Sequence, residues 1–255
     1  MMTRSARRSG LLAATVVATT VWMAPAQAGF LVDEFLSGEQ TSTDNDSIFD
    51  QPITTAQVTG GTDITGDVWR TVTADRVSGP GSATMTGGVN PAAGGGSGRL
   101  TISEDDEVQG SVHVRWDGEQ VGDGGFAAQD LTTAGSSIDL AVALINTDGT
   151  AAGAEISLTL IDSSANSFTV TKSVTTNTPG AAENLTYAFS DFTGVDATMV
   201  VAIEMLVDLS DPNSVDGTDI AIDFVGAVPE PGTIGILGLG LLAVGAVSRR
   251  RRTRS

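Results

Sequence analysis

Between Ser137 and Ile145 the chain reads Ser-Ile-Asp-Leu-Ala-Val-Ala-Leu-Ile, with Ile138, Leu140, Val142 and Leu144 at every second position. A period of two lines such residues along one face of an extended strand, whereas a helix would need them three or four apart. The pattern recurs. Ala154 to Ile161 carries Ile156, Leu158 and Leu160; Ser167 to Val174 carries Phe168, Val170 and Val174; Thr218 to Val225 sets Ile220, Ile222 and Phe224 inward. Thr198 to Val207 is apolar on both faces and is expected as a central strand. Earlier segments with the same habit are Phe30–Leu36, Ile53–Thr59, Val68–Thr73, Ala83–Thr86, Leu100–Ser103 and Ser111–Trp116. Turn-forming groups separate them, among them Asp148-Gly149, Pro179-Gly180 and Asp211-Pro212-Asn213. About eleven short strands without a helical period between the two ends predict an all-β fold, an antiparallel β-sandwich of jelly-roll type. Gly94 to Gly98 reads as a loop rather than a phosphate cradle, because no helix follows it.

The two ends differ from this body. Arg4, Arg7 and Arg8 precede an apolar run from Gly10 to Met23, and Ala26-Gln27-Ala28 is a small-x-small site. This is the layout of a secretory signal peptide over residues 1–28, cut by signal peptidase before Gly29. Arg7-Arg8 leaves the twin-arginine route open beside the general one. At the other end, Pro229, Glu230 and Pro231 precede a glycine-rich apolar run, which the arginines Arg249, Arg250, Arg251 and Arg252 close. As a helix, Thr233 to Val247 spans ~22 Å of the ~30 Å hydrocarbon core, so flanking residues and snorkelling arginines are needed to cross it. Arginines on the cytoplasmic side would leave the body across the inner membrane. The division predicted is signal peptide 1–28, β-sandwich 29–227 and terminal signal 228–255.

Proline-glutamate-proline, apolar helix and arginine cluster, in that order at the end of a chain with a leader, resemble the PEP-CTERM sorting signal. The resemblance covers Val228 to the end. It implies processing by an exosortase near the Pro-Glu-Pro triplet, transient anchoring in the inner membrane, and delivery to the cell surface or extracellular matrix of a Gram-negative bacterium that makes exopolysaccharide. The leading alternative is a plain single-pass anchor.

Charge narrows the partners. Thirty of the 31 acidic residues lie between the two ends, and eight of the 13 basic residues lie within them. So acidic a body repels phosphate backbones, and nucleic acid is not expected as a partner. The absence of cysteine rules out disulfides, thiol catalysis and thiolate metal sites.

Enzymatic chemistry is not expected. The single histidine, His113, alternates with Val112 and Val114 and shares a face with Arg115; no nucleophile elbow supplies it with a serine. It reads as an exposed strand residue. Paired carboxylates for glycoside hydrolysis have material in thirty acids, but nothing singles out a pair. Calcium is the expected metal, as a structural ion, because it takes six to eight oxygens. Asp211, Asn213, Asp216 and Asp219 offer them beside a glycine, and Asp44-Asn45-Asp46 and Glu104 to Glu107 are further clusters; each also reads as a solvated polar turn.

The opening Leu31-Val-Asp-Glu-Phe35 and closing Ile220-Ala-Ile-Asp-Phe224 resemble, loosely, the first and last strands of jelly-roll carbohydrate-binding and galactose-binding-like domains. That resemblance implies a calcium joining those strands, with Glu34 and Asp223 as ligands by position. For a sugar, ring faces are the expected platform. Trp69 shares a face with Thr71 and Thr73, with Arg70 beside it, and these two are the candidate ligand-binding residues; Trp116 is expected in the core, and Tyr187 is open between core and surface. The function expected is a surface or matrix binding module for exopolysaccharide. The alternatives are a structural coat protein without a sugar site and, behind it, a secreted hydrolase.

Overall fold

In the computed structural model the described residues are 30–45, 53–79, 84–90, 98–105, 107–119, 124–133, 135–147, 154–175, 182–209 and 218–227. They form thirteen strands: Phe30–Asp33 (β1), Gln40–Asp44 (β2), Ile53–Gln57 (β3), Trp69–Ser78 (β4), Met85–Asn90 (β5), Arg99–Glu104 (β6), Gln109–Asp117 (β7), Ser137–Thr147 (β8), Glu155–Asp162 (β9), Ser167–Ser173 (β10), Ala182–Ala188 (β11), Val200–Asp208 (β12) and Thr218–Ala227 (β13). Among the described residues helix is confined to two 3-10 turns, and no helix is long and apolar enough to cross a membrane.

The strands make two antiparallel sheets. One runs β11-β8-β13-β6-β5-β2, with β1 added against β13; the other runs β10-β9-β12-β7-β4-β3. Successive strands cross repeatedly from one sheet to the other, which is how a jelly-roll sandwich avoids leaving either sheet to fold alone. The chain's first strand lies on its last: Phe30 faces Ala227 and Leu31 faces Gly226. The expected pairing of opening and closing segments is therefore present, and β12 is central, between β9 and β7.

Most of the period-two residues supply the core, the exception being β10, where Phe168 is exposed and Val170 only partly buried. Ile138, Leu140 and Val142 of β8, Ile156, Leu158 and Leu160 of β9, and Ile220 and Ile222 of β13 are fully buried, as are Val112, Val114 and Trp116 of β7. The sheets approach closely at Gly87 on β5, where an added Cβ would stand 2.6 Å from Val112 Cγ1 of the facing sheet. Tyr187 falls in the core, its hydroxyl donating across the interface to the Ile156 carbonyl at 2.6 Å. Burial raises its pKa.

Two strands, β2 and β11, were not expected from the hydrophobic pattern, and β2 shows why. It reads Gln-Thr-Ser-Thr-Asp, and the residues that point inward are Gln40, Ser42 and Asp44, all buried. They do not feed the apolar core; they cap β4. Among the described residues β3 pairs with β4 only from Trp69 to Thr73. Beyond it the Ala74 N–H donates to Ser42 Oγ at 2.9 Å and the Arg76 N–H to Asp44 Oδ2 at 2.8 Å, and Gln40 Nε2 donates to the Thr54 and Arg70 carbonyls. Edge donors without a strand partner are thus satisfied by side chains from the opposite sheet.

Candidate functional site

The outer face of the six-stranded sheet is read directly from its register. One cross-strand row runs Thr55, Thr71, Arg115, Glu204, Thr159, Thr169; the next runs Ile53, Thr73, His113, Leu206, Ser157, Thr171. At one end Gln57 faces Trp69 and Trp69 faces Asp117. Neighbouring strands lie ~4.8 Å apart and same-face residues on one strand ~6.7 Å apart, so these side chains form a nearly regular lattice.

Arg115 is the centre of this face. Its Nε donates to Asp117 Oδ2 at 2.9 Å and its Nη1 to Glu204 Oε1. His113 Nε2 lies 3.7 Å from the other Glu204 oxygen. The neighbouring His113 imidazole and the Arg115 guanidinium hold Glu204 below the usual carboxylate range despite its partial burial. Burial pushes Asp117 up, against the pull of Arg115. Burial tends to lower the Arg115 pKa, but the bonds and charges of Asp117 and Glu204 outweigh it and raise the value. At the far edge the lattice is fixed by hydroxyl pairs, Ser157 with Thr171 and Thr159 with Thr169, each at 2.7 Å. The face combines one indole, a guanidinium fixed between two carboxylates, an imidazole and rows of hydroxyls.

Trp69 stands on this face, half-buried. Arg70 does not, and here the sequence expectation is corrected. Its side chain is fully buried, with Nη1 on Asp33 Oδ2 at 2.5 Å, Nε on Gln40 Oε1 at 2.6 Å and Nη2 on the Ser37 and Gly38 carbonyls, both at 2.7 Å. Trp116 Nε1 also donates to Asp33 Oδ2, at 2.8 Å, and the Phe35 N–H donates to Asp33 Oδ1. The guanidinium carbon lies 5.5 Å from the Phe35 ring centroid. Arg70 is a structural lock between β1 and β4, out of reach of any surface ligand, because alternation turns its side chain inward when Trp69 turns outward.

The calcium candidates among the described residues have these partners. Glu34 follows β1, with its N–H on the Gly61 carbonyl. Asp223 pairs with Arg99 at 3.0 Å, both side chains exposed. Asp219 lies on β13 opposite Ser103 and Asn146. Asp44 caps the Arg76 N–H, and Asp105 accepts from the Thr84 N–H and hydroxyl. Among the described residues no three acidic or histidine side chains come together as a metal site. Asp211, Asn213 and Asp216 lie outside the described residues, as do residues 1–28, Pro229, Glu230, Pro231 and Arg249 to Arg252. Sequence reading missed Glu204, concealed in a strand taken as apolar on both faces, although its one-residue offset from Ile203, Met205 and Val207 marks an outward position.

Residues 227–252 match the PEP-CTERM protein-sorting motif. The chain therefore carries a sorting signal that implies export, processing by exosortase and membrane-anchored sorting toward the cell surface. A sequence search of curated proteins finds no match. Among solved structures the chain is similar to the family 11 carbohydrate-binding module of the cellulosomal cellulase Lic26A-Cel5E of Clostridium thermocellum, at TM-score 0.33 and 8% identity, over 80% of this chain and 96% of that one. It is similar also to the module TmCBM61 in complex with β-1,4-galactotriose, at 0.33 and 13%, over 73% and 92%. A third is a β-1,2-glucanase from Parabacteroides distasonis, at 0.39 and 12%, over 82% of this chain and 26% of that one. Scores this low carry neither a residue nor a ligand from those proteins to this one.

Proposed function

We propose that this is an exported, exosortase-sorted surface protein whose sandwich binds polysaccharide on the outer face of its six-stranded sheet. The observation that carries the reading is the lattice of Gln57, Trp69, Thr71, His113, Arg115 and Glu204 held side by side on rigid strands. Sugar C–H faces pack on an indole, while hydroxyls bond to carboxylate, guanidinium and threonine groups whose positions are already set. The charge balance favours a neutral chain: Arg115 is shared by two carboxylates, and Asp75 and Asp208 add negative charge on the same face. A polyanionic sugar would meet repulsion there.

The test is a calorimetric titration of the chain freed of its leader and tail with neutral glucans and galactans, then with uronate polymers, in calcium and in chelator. Saturable binding to a neutral polysaccharide, lost on Trp69→Ala, supports the reading. The chelator arm tests the calcium expected at Asp211, Asn213, Asp216 and Asp219. No binding in any arm sinks the polysaccharide reading and leaves a structural coat protein.

A further inference from the structure

The last strand of the body runs directly into the sorting motif, and it is held on both edges up to the point where the motif starts. Val225, Gly226 and Ala227 face Leu140, Asp139 and Ile138 of β8 on one side. On the other, they face Asp33, Leu31 and Phe30 of β1. An added Cβ at Gly226 would lie 2.9 Å from the Phe30 carbonyl oxygen, so β1 is packed hard against this strand end. β1 is fastened in turn. Asp33 takes the Arg70, Trp116 and Phe35 donors, the Leu31 N–H donates to Asp63 Oδ2 at 2.8 Å, and the Asp63 N–H returns to the Leu31 carbonyl.

The matched motif begins at residue 227, and only Val228 separates Ala227 from Pro229. A protease reads its substrate extended, commonly pairing with backbone N–H and C=O groups as an added strand. Upstream of Val228 those edges are already occupied by β1 and β8. Downstream, the five steps from Ala227 to Gly232, where the apolar run opens, reach at most ~17 Å at ~3.4 Å each. A folded sandwich tethered so closely leaves a membrane-embedded protease little room and no free strand edge on the body side of the cut.

We propose, on the basis of the sorting reading above, that the sandwich masks its own sorting motif. Tail removal acts while the end of β13 is undocked, and completion of the seven-stranded sheet closes the site. Folding and processing then compete for the same residues, 225–227.

The experiment is pulse-chase of the full chain in cells containing an exosortase, with tail loss read as a mass shift. A Gly/Ser spacer of about twelve residues inserted after Ala227 moves the motif clear of the sheet. It is expected to raise the rate of tail loss roughly tenfold by removing the need for local opening. Leu31→Pro, which removes the N–H that fastens β1 to Asp63, loosens β1 from its outer side; it should speed processing of the unspaced chain and add nothing once the spacer is present. Equal or slower processing of the spaced chain overturns the masking proposal while leaving the sorting reading intact. If neither chain loses its tail with the exosortase present, the sorting reading fails and masking fails with it.

Discussion

Arg70 and Arg115 sit in adjacent strands, β4 and β7, each bound to carboxylates, on opposite faces of one sheet. Arg70 is enclosed, with Asp33, Gln40 and two carbonyls meeting its guanidinium. Arg115 meets Asp117 and Glu204 with its own side chain 19% exposed. The same chemistry gives different outcomes because the surroundings differ. In the interior each ion has lost its water, so removing one partner strands the other. At the surface water reaches Arg115 and Glu204, so that loss is compensated in part, although Asp117 is buried and keeps only the Glu119 N–H when Arg115 is removed. One arginine holds the fold in register; the other presents a surface.

Substitutions can break this contrast in graded steps. Arg70→Met leaves the buried Asp33 carboxyl without its guanidinium partner and should destabilise the sandwich by about 3–5 kcal/mol, read as a lower urea midpoint. Adding Asp33→Leu to that variant should recover part of the loss, which a double-mutant cycle would show as coupling. Trp116→Phe keeps most of the packing but removes one donor to Asp33, at a cost of about 1–3 kcal/mol. Arg115→Met, which leaves the buried Asp117 the Glu119 N–H, should cost less than Arg70→Met, about 1–3 kcal/mol. It should nonetheless weaken polysaccharide binding, so a large stability loss there would erase the distinction.

The smallest effect is expected in pH dependence. Asp162 accepts the side chain and N–H of Asn166 and the N–H groups of Asp196 and Ser164. These bonds, the Asn166 side chain's first, bring its pKa down to about 2. A depressed carboxylate stabilises above its unfolded pKa of ~3.9 and loses that contribution as pH falls toward the folded value. Asp162→Asn should therefore be less stable at neutral pH and show a flatter acid limb between about pH 4 and 2. Glu204, also depressed, acts with the same sign, while Asp117, raised by burial, acts with the opposite one. Urea midpoints at several acid pH values would separate them.

The contrast also marks where the sequence is legible. Period-two alternation identifies the strands that feed the apolar core, the place of Trp116, and the central position of β12. It overlooks β2 because that strand turns polar groups inward, and hydrophobicity carries no signal when the interior partner is a backbone donor. Arg70 was misplaced although the clue was present. It shares parity with Val68, Val72 and Ala74, all buried. Placing Trp69 outward required Arg70 to point inward, and a partner such as Asp33, thirty-seven residues away, is visible only after folding. The Arg115, Glu204 and Asp117 group is likewise a product of register, since its members lie on two strands far apart in the chain.

The polar inner face of β2 has a mechanical consequence. Burial of two apolar sheet faces depends on area and not on direction, so it fixes their relative displacement less sharply than directional bonds do. Ser42 and Asp44 bond to individual N–H groups of β4, and Gln40 to two carbonyls and to Arg70, so a shift by one residue would break all of these contacts together. That corner serves as the index mark of the sandwich. It sets how far one sheet is displaced along the other, and hence where the rows of the outer lattice stand relative to the strand end that leads into the tail.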